Sequence, residues 1–94
     1  MKKMNFDLNI PVTILKEGKR FVAYTPALDL STSGKTLAEA KKRFEEAAKI
    51  FIEEIAQHGT LEEALSDLGW KKTKSAWQSP VVISQETERL QVSV

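Results

Sequence analysis

The sequence predicts an α+β domain: a three- to four-stranded, mainly antiparallel sheet with one long helix packed on it and a short second helix alongside. Three observations lead there. Residues 6–15, 20–24 and 27–32 are extended in character, and the first and last of them alternate apolar with polar side chains, the period of a strand with one buried face. Residues 37–55 repeat apolar side chains every three or four positions, the period of a helix with one buried stripe. The pattern Thr-Leu-x-Glu-Ala occurs at 36–40 and again at 60–64, each time setting a hydroxyl three residues ahead of a carboxylate, as a capping box requires. We read this echo as two uses of one capping device and not as a repeat.

Taken in order, Phe6, Leu8, Ile10, Val12 and Ile14 share one face of a first strand, 6–15. Pro11 lacks the N–H a ladder needs, which suits an edge strand. Lys16-Glu17-Gly18-Lys19 is a polar connection with a glycine for positive φ, so 6–15 and 20–24 form a hairpin. Pro26 biases Thr25 toward extended backbone and marks a bend. A third strand follows at 27–32, with Leu28 and Leu30 inward and Asp29 and Ser31 outward. Ser33-Gly34-Lys35 is a turn. The long helix starts after Thr36, buries Leu37, Ala40, Phe44, Ala47, Ala48, Phe51 and Ile55, and ends at Gly59. Lys41–Glu45 and Lys42–Glu46 have ion-pair spacing on its outer side. The second helix covers 61–68 and stops at Gly69. Residues 70–80 form a basic loop with two tryptophans. Residues 81–94 read as an extended tail, a fourth strand that returns to the sheet or pairs with another chain. The order is β-β-β-α-β, within one domain covering 1–94.

Composition narrows the function. The 94 residues make one domain with a thin core. With 41% hydrophobic and 29% charged residues the chain matches an ordered soluble protein and not a disordered one. Its net charge of +1 gives no overall pull toward nucleic acid or anionic membrane. Without cysteine there is no disulfide framework and no thiolate metal site, which fits a reducing compartment. Asp7, Asn9 and Pro11 interrupt the N-terminal apolar positions, so no signal peptide is expected. No run approaches the ~20 apolar residues of a membrane span. The expectation is a cytoplasmic protein that needs no membrane and no cofactor.

Candidate chemistry is sparse. His58 is the only histidine, at the end of the long helix, where an imidazole ordinarily serves the C-terminal dipole. Asp7 and Asp29 could approach one another across strands, but a two-metal nuclease needs more carboxylates than these. Both are read as solvent-facing strand residues, and the chain is not expected to be an enzyme. Lys71, Lys72 and Lys74 with Trp70 and Trp77 interleave cations with aromatics, the pattern of a small nucleic-acid-binding module. The ordinary reading of the same residues is a solvated loop whose tryptophans close the core. The tail is suited to strand addition or dimer pairing.

One stretch resembles a known family. Phe21 and Tyr24, then Pro26-Ala27-Leu28, then Ser33-Gly34-Lys35, then Thr36-Leu37-Ala38-Glu39-Ala40 and a long amphipathic helix follow the order seen in HicB-like antitoxins. Leu28-Asp29-Leu30-Ser31 departs from the Pro-Gly-Cys turn of many members. The resemblance implies a partial ribonuclease-H-like fold without nuclease carboxylates. It implies an antitoxin that binds and neutralises a small, basic, mRNA-cleaving toxin (HicA-like) by covering it. Too few residues follow Gly69 for the DNA-binding domain many members carry, so a stand-alone member is expected. Tyr24, Pro26, Leu28, Asp29, Ser31, Trp77, Val81 and Ile83 are the expected partner-binding residues, in a homo-oligomer. The nucleic-acid module is the alternative.

Overall fold

The structure, a computed structural model, describes residues 8–74 and 76–94. Its elements are β1 (Thr13–Glu17), β2 (Arg20–Thr25), β3 (Leu30–Gly34), α1 (Leu37–Gln57), α2 (Leu61–Asp67), β4 (Lys71–Lys72) and β5 (Trp77–Gln78). The α+β class is as the sequence predicts. β1, β2 and β3 form an antiparallel meander, and β4 with β5 forms a separate two-stranded sheet.

The hairpin between β1 and β2 is tighter than expected. Glu17 faces Arg20, so only Gly18 and Lys19 turn the chain. Gly18 takes φ 61, and a positive φ at the first central position is what primed hairpin turns require. β1 is correspondingly shifted. Residues 8–12 alternate like a strand but lie outside the ladder, and Phe6 and Asp7 lie outside the described residues. The reason is the length of the partner. β2 ends at Thr25, opposite Leu30 and one residue past Thr13's partner Tyr24. Upstream of Thr13 there is almost no β2 left to pair with. Leu8 and Ile10 still pack on the core, whereas Val12 and Ile14 are exposed.

The third strand also starts later than the 27–32 alternation suggests. Residues 26–29 are a turn. The buried Thr25 hydroxyl accepts the Ala27 N–H at 3.1 Å, and Asp29 sits at φ 49, in the left-handed region Asp tolerates better than most residues. A local side-chain bond thus competes with the ladder and wins over four residues.

α1 packs against β3 and β2. Its first close approach is at Ala40, where Thr32 Oγ1 donates to the Ala40 carbonyl at 3.0 Å. A Cβ on Gly34 would stand 2.6 Å from the Ala40 nitrogen, so only glycine fits there. The buried stripe is Ala40, Phe44, Ala48 and Ile52, with Phe51 and Ile55 half-buried. Leu37, expected inside, is exposed because the first helical turn precedes that contact, and Ile52 takes a core position that is not among the expected stripe residues. Thr36 caps the helix, accepting the Glu39 N–H at 3.1 Å. Glu39 pairs with Arg43 at 2.7 Å; among the described residues no bridge forms at Lys41–Glu45 or Lys42–Glu46.

Both helices end the same way. Gly59 (φ 70) donates to Ala56 and Thr60 donates to Ile55; Gly69 (φ 91) donates to Ser66 and Trp70 donates to Leu65. These are Schellman motifs. The first explains why the second capping box is not made. Thr60 is the residue that closes α1, at φ −110 and ψ 13, and its hydroxyl donates back to the Ile55 carbonyl at 3.2 Å.

Candidate functional site

The second Schellman turn delivers Trp70 into the interior. Trp70 is 4% exposed, and its indole N–H donates to the Ala27 carbonyl at 2.7 Å, across 43 positions of sequence. Ala27 and Leu65 are wholly buried beside it in the same cluster. This contact ties the turn before β3 to the end of α2. It also corrects two site expectations. Trp70 has no face left to stack a base, and Leu28, 3% exposed, belongs to the core and is not available to a partner.

The rest of the Lys/Trp segment is similarly engaged. β4 and β5 form a hairpin closed by Thr73, whose N–H and hydroxyl both donate to the Ala76 carbonyl. The Lys72 ammonium pairs with Glu62 and stands 5.9 Å from the centroid of the half-buried Trp77 ring. Lys71 and Lys74 remain exposed. Two exposed cations without an open aromatic face make a weak stacking platform.

The other candidates come together on the outer face of the sheet, opposite α1. Thr13, Tyr24 and Ser31 face one another across the three strands. The Tyr24 hydroxyl donates to Asp29 Oδ1 at 3.3 Å. Partial desolvation, then the Asp29 charge and this hydrogen bond, push the Tyr24 phenol above its ordinary pKa. Pro26 is exposed in the adjacent turn. At the other end of the row, Gln85 Nε2 donates to Thr13 Oγ1 at 2.8 Å, which joins the tail to the same band. Neither Thr13 nor Gln85 stands out in the sequence, because a cross-strand row exists only once register is fixed.

The tail itself departs from expectation. Residues 79–94 form no strand. Their start lies beside the segment before β1: Ser79 Oγ donates to the Asn9 carbonyl at 2.9 Å, and Asn9, Ile10, Pro11, Ser79, Pro80, Val81 and Val82 line an open cleft of about 430 Å³. Val81, at the cleft, and Ile83, Leu90, Val92 and Val94 beyond it are all exposed. The radius of gyration is 16.0 Å, against about 12 Å for a compact domain of this length.

His58 does what its position suggests: Nδ1 lies 2.7 Å from the Glu54 carbonyl in the last turn of α1. Among the described residues no three His, Asp or Glu side chains gather to hold a metal ion, and no helix is long and apolar enough to cross a membrane. No protein-family model, curated protein or solved structure matches the chain.

Proposed function

We propose that this chain is an antitoxin of the HicB-like type, which binds a small, basic, mRNA-cleaving toxin and neutralises it by protein–protein occlusion. The observation that carries this reading is the tail. Val81 and Ile83 are 77% and 91% exposed on backbone that forms no ladder. A chain segment of that kind is suited to add a strand to a partner's sheet, with main-chain bonds giving affinity and alternate side chains giving specificity. The outer-face band, Asp29–Tyr24–Ser31–Thr13 and Gln85, extends the same surface with hydrogen-bonding groups. Copies pairing through tails or open strand edges would form the homo-oligomer that suits a small edge-exposing domain.

Co-expression with a HicA-like toxin tests the reading. The full chain is expected to restore growth and to bind the purified toxin, and removal of residues 81–94 is expected to abolish both. Failure of the full chain to bind, or equal binding without the tail, contradicts it. Binding to single-stranded RNA with a salt dependence that lessens in Lys71→Ala and Lys74→Ala would favour the nucleic-acid module instead.

A further inference from the structure

One groove borders the core and shares no lining residue with the cleft at the start of the tail. Leu30, Ala47, Ile50, Phe51, Glu54 and Ile55 line an open groove of about 500 Å³ where the outer flank of α1 meets the start of β3. Its apolar floor is not incidental. Ile50 is 59% exposed at mid-helix, next to the half-buried Phe51 and Ile55. β3 is an edge strand, so its backbone beside the groove has no partner strand among the described residues.

The rim is acidic. Glu46, Glu53 and Glu54 stand four residues before, three after and four after Ile50, so all three share its helical face. Among the described residues the ion pairs are Arg43–Glu39 and Lys72–Glu62, and none involves these three carboxylates. The wider surroundings have the same sign. Residues 44–69 carry seven carboxylates and one lysine, within a chain whose net charge is +1. The balanced total conceals an acidic sector.

We propose that this groove docks a basic amphipathic segment of a partner protein. Its apolar side chains would seat against Leu30, Phe51 and Ile55, and its Lys or Arg side chains would meet Glu46, Glu53 and Glu54. A second copy is the poorer occupant, because an isologous contact through this flank sets the same carboxylates against each other. An acidic partner is repelled for the same reason. The inference rests on reading the chain as a domain that binds a basic protein, and it adds a surface distinct from the tail.

The probe is a synthetic helical peptide of leucine and lysine with the leucines at three- and four-residue spacing, titrated into the full chain and followed by amide chemical shifts. Shifts are expected at Ile50, Phe51 and Ile55, with affinity falling as salt rises. Ile50→Asp, and separately Glu53→Lys with Glu54→Lys, should each weaken binding on the order of tenfold with helical circular dichroism unchanged. Both variants change exposed side chains, so folding is preserved. Equal binding by either variant, or equal binding by a peptide of the same charge with serine in place of leucine, overturns the proposal. So does a wild-type dimer in sedimentation that Ile50→Asp dissociates. Toxin binding that survives Ile50→Asp but is lost with residues 81–94 would remove the groove and leave the antitoxin reading standing.

Discussion

The two ends of this chain's second half behave in opposite ways. Around Trp70 the structure is closed: the indole N–H is bonded, the Thr25 hydroxyl accepts a backbone N–H, and no buried side-chain polar atom among the described residues lacks a partner. Eleven residues later the chain is open, with valines and an isoleucine in solvent on backbone that forms no ladder. Both stretches follow the short helix and both carry large apolar side chains. The difference lies in whether the rest of the chain offers a complementary surface. Trp70 has the Ala27 carbonyl and the Leu65 side chain waiting for it. Among the described residues the tail and its start reach the rest of the chain through an open cleft with Asn9, Ile10 and Pro11 and through two side-chain hydrogen bonds, Ser79 to the Asn9 carbonyl and Gln85 to Thr13.

Damage to the closed region should therefore unfold the protein, and damage to the open one should not. Trp70→Ala removes a buried ring and leaves the Ala27 carbonyl unpaired, and is expected to cost about 3–5 kcal/mol in denaturant unfolding. Removing residues 81–94 should cost no more than about 1 kcal/mol in the same measurement. Next in size is Gly34→Ala. The new methyl would lie 2.6 Å from the Ala40 backbone nitrogen, so α1 must shift away from β3 at a cost of about 1–3 kcal/mol.

A finer contrast separates the two threonines of the echoed pattern. Thr36→Ala removes a cap that the Glu39 N–H uses and should cost about 1 kcal/mol. Thr60→Ala removes a hydroxyl that caps nothing in α2 and should cost less. Equal losses would mean that both hydroxyls cap their helices. The smallest effect concerns Tyr24. Its raised phenol pKa means the folded state holds the proton more tightly than the unfolded chain does. The contribution to stability is therefore full below the unfolded value near 10 and is lost as pH rises through the folded value. Spectrophotometric titration should show the phenol ionising above its ordinary range, and Asp29→Asn should bring it down.

These contrasts also explain what could be read in the sequence. The meander, the long helix and its Thr36 cap were legible, because hydrophobic period and capping chemistry are local. Strand limits were not. Residues 8–12 have strand periodicity, but pairing depends on how far β2 runs, and Thr25 and Pro26 end it. The same holds at 81–94, where alternation shows what a strand there would bury and says nothing about whether a partner strand exists. Thr60 misled for another reason: it sits where one helix ends and the next begins, and its backbone serves the first. Trp70 was legible as well: the ordinary reading of its basic segment has a tryptophan close the core, and the glycine before it marks where the chain turns back inward. For the candidate surface, Tyr24, Asp29, Ser31 and the tail were found from pattern and resemblance. Thr13 and Gln85 joined them only through register.

Amide hydrogen exchange on the full chain, alone and with a HicA-like toxin, tests the central claim most directly. The amides of β2, α1 and Trp70 should be protected in both states. Those of residues 81–94 should exchange freely in the chain alone and become protected in the complex. Tail amides that stay unprotected when the toxin is bound, or that are already protected without it, would contradict the account.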